Sequence, residues 1–412
     1  MSVRGLGAYL RALTMPILAC LILGVSAGAT TAPMQSSVYE EELITLMAEI
    51  ERGDVDVALE QLDQHLARYP KSRVGHLMRA DLLGIQAGGK PVAAAAEISP
   101  AITPKDTFDI PGLRKQLAQR WQHRVKSAST NLDQRIPAAL VHTGEAERVL
   151  VADMNQARLY LYDTSGAYPK RMSDYYLSVG SQGVGKEVEG DNRTPIGVYK
   201  VTQYIDDSAL PDLYGSGAFP VNYPNRYDRL KGRTGYGIWL HGTPSDTVAR
   251  APWSSEGCFV LSNEDFEQLR PFISVDAATP VVLADAVTWL TPAQYEAHRD
   301  QYLAVVDHWR QTWERIDTDG FIALYDRDVF DFGAQGYEGW VARKRAVNAG
   351  KTFINVDLNL LGLYLYPGPE TMFVVEFEQR YNSNNYRSDV RKQQYWQRGP
   401  DGQWRIIYEG QF

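Results

Sequence analysis

The chain has 412 residues, 42 Lys+Arg against 50 Asp+Glu, and a formal net charge of −8. At roughly 150 residues per domain this is length for two or three domains with cores of their own, and 44% hydrophobic with 22% charged residues excludes a largely disordered chain. The acidic balance excludes a phosphate-dominated nucleic-acid binder, and two cysteines exclude a disulfide scaffold or a thiolate-rich metal site.

The first 34 residues contain no Asp or Glu. Arg4 and Arg11 precede the apolar run 12–25, and Ala27-Gly28-Ala29 follows it. A basic start, a short apolar run and a small-residue end describe a secretory signal over 1–29. The run is short for a membrane-spanning helix, so no integral segment is expected after cleavage. Cys20 lies inside it; acylation of Cys20 as a lipoprotein is the lesser reading, because Leu18 fits poorly there and the apolar stretch runs on. Export then leaves one thiol, Cys258.

Residues 38–95 read as helices. Leu43, Leu46, Met47 and Ile50, then Val55, Ala58, Leu59, Leu62 and Leu66, recur at helical spacing, with Gly53 and Pro70 as stops. Residues 51–58 are echoed by 86–93, an offset of 86 − 51 = 35, near the ~34-residue tetratricopeptide period. Such a set is either a docking surface for a protein partner or a prefix that packs on the next domain. Residues 96–146 mix Ala, Pro and polar residues, and read as linker and connecting helices with one helical patch at 113–125.

From 147 to 286 the period becomes two. Residues 148–153 and 158–163 flank Met154-Asn155-Gln156-Ala157, a hairpin signal, and further strands are expected at 175–179, 197–202 and 237–240. This predicts a mainly-β domain of about 140 residues with loops long enough to build a site. From 294 to 412 a helix through Trp309, Trp313 and Ile316 precedes strands at 371–381, 389–398 and 404–408. A helical opening before long antiparallel strands resembles the α+β cone of the nuclear-transport-factor-like (SnoaL-like) domains. Trp309, Trp313, Trp340, Trp396 and Trp404 would line or close that cone, although aromatic stripes are more often core than ligand box.

The chemistry converges on Gly237-Ile238-Trp239-Leu240-His241-Gly242-Thr243-Pro244 and Ser254-Ser255-Glu256-Gly257-Cys258-Phe259-Val260-Leu261. A thiol is mostly protonated near neutrality, so a nucleophilic cysteine needs a base or a positive neighbour. His241 can supply one if a third group fixes its tautomer. Gly257 lets the backbone approach a substrate carbonyl, and the amides of Gly257 and Cys258 are natural oxyanion donors. No HxxH or CxxC partner stands nearby, so no metal is expected. The papain-type signature is missing, and here the histidine comes first.

His241-Gly242-Thr243 followed by Ser255-Glu256-Gly257-Cys258 resembles the HG…[ST]-x-G-C motif of the L,D-transpeptidase (YkuD-type) family of bacterial cell-wall enzymes. Asp191-Asn192-Arg193-Thr194-Pro195-Ile196-Gly197-Val198-Tyr199 is similar to the family's TPxGxY strand, and Asn222-Tyr223-Pro224-Asn225 precedes the histidine as it does there. The resemblance spans about a third of the chain. It implies Cys258 as nucleophile, His241 as base, the Gly242 carbonyl as its orienter, and Ser255 with Gly257 shaping the loop and oxyanion hole, with no cofactor. Thr194, Pro195 and Tyr199 are expected to be structural. Many members carry His where Glu256 stands and Arg or Asn where Val260 stands. That leaves the holder of the substrate carboxylate open among Arg250, Arg226 and Arg229. The implied substrate is the peptidoglycan stem in the periplasm: attack at the L-centre of diaminopimelate, release of D-alanine, and a thioester resolved by an amine (L,D-transpeptidase) or by water (L,D-carboxypeptidase). A related attack on a crosslink would make an endopeptidase. The YkuD-plus-cone order looks like that of cell-shape enzymes that trim stems, which keeps carboxypeptidase close behind. A non-catalytic wall-binding scaffold is the reading of another class, and the His–Gly–Cys set argues against it.

Overall fold

A computed structural model describes residues 37–88 and 109–412. The expected signal 1–29, Cys20, and all but the first three residues of the echo at 86–93 lie outside the described residues.

Helix α1 (Val38–Arg52) opens on the Ser37 side chain, which accepts from the Glu40 N–H, and ends at Gly53 with φ 88°. Asp54 caps α2 (Val55–Arg68), Ser72 caps α3 (Arg73–Gln86), and Asp109 caps the longer α4 (Ile110–Thr130). The helical-period residues Leu43, Leu46, Ala58, Leu62 and Leu66 are buried together with Leu77, Leu82 and Leu113. That cluster runs on into Ala157, Tyr176 and Ala249, so the apolar face of the helices packs on the next domain. Beside it Glu40, 4% exposed, accepts from Arg120 Nε (2.6 Å) and Arg158 (2.8 Å), both buried. Burial alone would raise the Glu40 pKa; the two guanidiniums outweigh it and hold the carboxyl below the usual carboxylate range. No described helix is long and apolar enough to cross a membrane.

Part of the stretch 96–146 expected as linker is sheet. Strand β1 (Ile136–Pro137) pairs with β13 (Trp289–Leu290), and β2 (Leu140–His142) joins the C-terminal sheet, with His142 opposite Leu363. Strands of two and three residues are too short to show a period.

The central domain holds the expected hairpin, β3 (Arg148–Asp153) and β4 (Arg158–Asp163), in register Arg148↔Asp163. With β5 (Lys170–Tyr176), β7 (Gly197–Lys200) and β12 (Pro280–Ala284) it forms a five-stranded sheet in the order β5-β4-β3-β12-β7, and β12 runs parallel to β3. A three-stranded sheet, β11-β9-β8, is built from β8 (Ala218–Pro220), β9 (Trp239–His241) and β11 (Phe259–Val260). The expected strand 175–179 is broken at residues 177–178, and β6 (Val179–Gly180) pairs instead with β10 (Trp253–Ser255). Gly237, at φ 73°, delays β9 to Trp239. Leu150, Leu161, Tyr199, Phe219, Leu240, Phe259 and Leu283 form the core between the sheets, closed by α6 (Asn263–Leu269), while α5 (Arg226–Leu230) lies on the far side.

The C-terminal domain places α7 (Pro292–Glu314), α8 (Thr318–Ala323) and α9 (Gly336–Ala349) against a curved antiparallel sheet, β17-β16-β15-β14-β2. Its long strands are β14 (Ile354–Tyr366), β15 (Met372–Ser383), β16 (Tyr386–Arg398) and β17 (Trp404–Gln411). β14 has no counterpart among the expected strands, although its alternation of apolar and polar residues is a two-residue period. β15 is buried on both faces: Phe373, Val375 and Phe377 point into the cone, and Met372 and Val374 toward the central domain. Trp309 and Trp396 are fully buried and Trp340 nearly so; Trp313 and Trp404 pack on them. Trp309, Trp340 and Trp396 belong to the core of this domain, and Trp313 and Trp404 pack against it partly buried. Its large aromatic payload is what holds a helix layer on a bent sheet.

Candidate active site

His241 closes β9 and is 2% exposed. Its Nδ1–H donates to the Gly242 carbonyl at 2.6 Å, which leaves Nε2 as the free nitrogen; the tautomer follows from that acceptor. The Tyr214 ring packs edge-on at 5.0 Å, and Tyr214 also lies within electrostatic reach of Cys258. Burial, helped by the positive charge of Arg250, depresses the imidazole pKa to about 4, so the ring is neutral through the physiological range.

Cys258 immediately precedes β11, which runs parallel to β9 with Val260 opposite His241 and Phe259 opposite Leu240. Continued by one residue, that register sets Cys258 opposite Trp239 and so on the His241 face of the ladder, one diagonal step away. The thiol is half-buried and free, and Sγ–H donates to the Gly237 carbonyl at 3.4 Å. Burial pushes its pKa up to about 11, against an N–H from Trp239 and the charge of Arg250. The resting pair is therefore thiol and neutral imidazole, not thiolate and imidazolium.

The loop before Cys258 is held by its own hydroxyls. Ser255 Oγ donates to the Cys258 carbonyl (2.5 Å) and accepts from the Gly257 N–H (3.1 Å). The Gly257 N–H, expected as an oxyanion donor, is engaged by Ser255 in this structure. Gly257 serves shape instead: its φ is 127°, and a Cβ there would come within 2.9 Å of the Arg193 carbonyl. Thr194 Oγ1 ties the loop to β6 by donating to the Gly257 carbonyl (2.9 Å) and accepting from the Gly180 N–H (2.9 Å). Tyr199 donates to Asp228 at 3.1 Å in the interior, away from the thiol.

Of the three arginines considered for a substrate carboxylate, the structure brings Arg250 to the site. It is half-buried, and its charge acts on both Cys258 and His241. Arg226 and Arg229 line a separate cavity of about 210 Å³ between the central and C-terminal domains, with Tyr364, Glu376 and Tyr395. Val260 is buried opposite His241, and Glu256 is exposed. Among the described residues no three His, Cys, Asp or Glu side chains gather to hold a metal ion. Two residues at the site had gone unmarked: Tyr214, and Asn263, which stands five positions after the cysteine at the start of α6. The only sequence signal for Asn263 was its place beside a helix cap.

Residues 147–283 match the L,D-transpeptidase catalytic domain family (YkuD). The central domain is a YkuD-type L,D-transpeptidase catalytic domain. Residues 301–410 match the Cds6 C-terminal NTF2-like domain, so the YkuD domain is followed by a nuclear-transport-factor-like cone. Over 157 residues the chain is 27% identical to YafK of Escherichia coli K12, whose name places it with the L,D-transpeptidases. That match covers 37% of this chain and 58% of YafK, so it spans little more than half of the relative. Among solved structures, Bd1075 of Bdellovibrio bacteriovorus superposes with a TM-score of 0.58 at 27% identity, over 67% of this chain and 98% of Bd1075. Pgp2 of Campylobacter jejuni, a helical cell shape determining protein, superposes at 0.54 and 23% identity over 68% of this chain and 95% of Pgp2, a likeness of fold.

Proposed function

We propose that the chain is a periplasmic cysteine enzyme of peptidoglycan, an L,D-transpeptidase acting on tetrapeptide stems through a thioester on Cys258. The observation that carries this reading is the neutral His241, with Nδ1–H fixed on the Gly242 carbonyl and Nε2 free, on the same face of the β9–β11 ladder as the one thiol of the described chain. A neutral imidazole can accept a proton, but transfer from a thiol held at about 11 to a base held at about 4 is uphill in the free site, so it takes place together with attack on the carbonyl once substrate is bound.

In this mechanism the substrate displaces Sγ–H from the Gly237 carbonyl. Nε2 takes the thiol proton as sulfur attacks the diaminopimelate carbonyl at its L-centre. With the Gly257 N–H engaged by Ser255, we assign the Cys258 N–H to the oxyanion. The tetrahedral intermediate collapses, His241 returns the proton to the leaving amine, and D-alanine departs. An acceptor amine then attacks the thioester, loses its proton to His241, and leaves a 3–3 crosslink with the thiol restored.

Water as acceptor is the second reading, an L,D-carboxypeptidase that leaves tripeptide stems. The YkuD-plus-cone architecture shared with a cell shape determining protein supports it. Incubation of the purified protein with tetrapeptide-stem muropeptides, followed by mass analysis of products, separates the two. Dimers with 3–3 links mark the transpeptidase, and D-alanine with tripeptide monomers marks the carboxypeptidase. Neither product, or turnover surviving Cys258→Ala, overturns both.

A further inference from the structure

We infer that Asn263 is a positioning residue for His241, acting through the turn whose carbonyl holds the imidazole; the inference rests on His241 being the base proposed above. The Asn263 Oδ1 accepts from the Thr243 N–H (3.0 Å) and the Ser216 N–H (3.1 Å), and its Nδ2 donates to the Thr243 carbonyl (2.9 Å). One side-chain amide therefore fastens two backbone segments, 215–216 and 242–243. A Cβ at either Gly215 or Gly242 would collide with Oδ1, so both glycines are what let the amide seat.

These two segments carry or adjoin two neighbours of the imidazole. Gly242 provides the carbonyl that receives Nδ1–H, and Tyr214, next to Gly215, provides the ring against the other side. They are also joined directly, Gly242 N–H to the Tyr214 carbonyl at 3.0 Å. The charge acting on His241 is that of Arg250, the titratable ring packed on it is Tyr214, and the hydrogen bonds of the Asn263 amide go to neither side chain but to the backbone of Ser216 and Thr243. Asn263 thus sets where the imidazole points without contacting substrate or sulfur.

The amide is itself anchored. It is the first residue of α6, which opens on the Ser262 cap. The next residue, Glu264, accepts from the Val38 N–H at 3.0 Å and the Tyr69 hydroxyl at 3.4 Å, so α6 is seated against α1 and α2. A displacement on the order of 1 Å in a catalytic group can lower turnover by about 100-fold, whereas loss of a loop hydrogen bond alone lowers only stability.

The test uses two variants. Asn263→Asp keeps an oxygen for both N–H donors, loses the bond to the Thr243 carbonyl, and adds negative charge near the imidazole. Asn263→Ala loses all three bonds. We expect kcat for D-alanine release to fall about 10- to 100-fold in Asn263→Ala with KM nearly unchanged. In Asn263→Asp the acid limb of the kcat profile moves to higher pH. The pH dependence of Cys258 alkylation by iodoacetamide follows the same shift without any substrate. Variants that lose melting temperature but keep wild-type kcat, acid limb and alkylation profile overturn the inference. If Asn263→Ala does not fold, Asn263→Asp decides alone. If the wild-type protein releases no D-alanine, the proposed activity fails, and the alkylation profiles still judge the clamp.

Discussion

Two surfaces of the YkuD domain are covered, and they are covered by different chemistry. On the helical side an apolar contact through Ala157, Tyr176 and Ala249 carries buried charge beside it: Glu40 with Arg120 and Arg158, Arg158 and His123 with Asp174, and the Arg120 guanidinium 3.6 Å from the Tyr176 ring centre. On the cone side it is tyrosine: Tyr366 receives the Asn225 amide at 2.9 Å and meets Tyr227 edge-on at 4.9 Å, with Tyr364, Tyr395 and Val149 around them. The two sides also hold different parts of the domain. The helices grip the segments flanking the His–Cys pair, through Lys71 to the Ser245 carbonyl (2.6 Å), Lys115 over Trp253, and α1–α2 on α6. The cone grips β7 and α5, through Lys200 with Glu376 and Tyr366 with Asn225. The difference teaches that the helical region braces the site, while the cone is mounted beside it.

The largest expected effect tests the charged side. Glu40→Ala leaves the buried Arg120 guanidinium without its carboxylate and Arg158 with Asp174 alone, and should destabilise the fold by about 3–5 kcal/mol in urea unfolding, with D-alanine release falling as the helices loosen. Full turnover in a variant whose helices are released to protease would break the comparison.

Acidification should separate the two sides next. The Glu40 and Asp174 carboxyls are held below their ordinary range, so their contribution is complete above the unfolded carboxylate range and is lost as pH falls through the lower folded values. Asp265, pushed up to about 6 by burial, has the opposite sign, and its protonation favours the folded state as pH drops from about 6 to 4. Tyr364, Tyr366 and Tyr395 are pushed upward and stay neutral throughout. Proteolysis scanned below pH 4 should therefore free the helices first; earlier release of the cone would contradict this. In the same scan, turnover should hold down to the depressed His241 value of about 4, and an acid limb near 6.5 would contradict the buried neutral base.

The smallest effect belongs to the cone side. Tyr366→Phe removes the acceptor of the Asn225 amide and should lower stability by about 1 kcal/mol while kcat stays unchanged. A kcat loss matching that of Glu40→Ala would show the cone to be as coupled to the site as the helices.

Much of this was legible in the sequence where one residue has a local job. Gly53 ends α1 because only glycine takes that φ freely, and the hairpin at 148–163 shows its period within sixteen residues. His241 and Cys258 stood out because a strand-end histidine and a Gly-preceded thiol are rare together. What was hidden depended on distant partners. β2 becomes a strand only because β14, more than two hundred residues later, supplies its ladder. The Gly257 N–H looked free until Ser255 was placed beneath it. Arg226 and Arg229 lie close to the histidine in sequence but line another cavity. Asn263 is an ordinary helix-start residue until Thr243 and Ser216 converge on its amide.

The most direct test of the central claim is to quench the reaction with a tetrapeptide-stem muropeptide and weigh the intact protein. The account predicts a species heavier by the disaccharide-tripeptide acyl group, mapped to Cys258 and absent from Cys258→Ala. Release of D-alanine with no acyl group ever found on Cys258, or with Cys258→Ala as active as wild type, would contradict it.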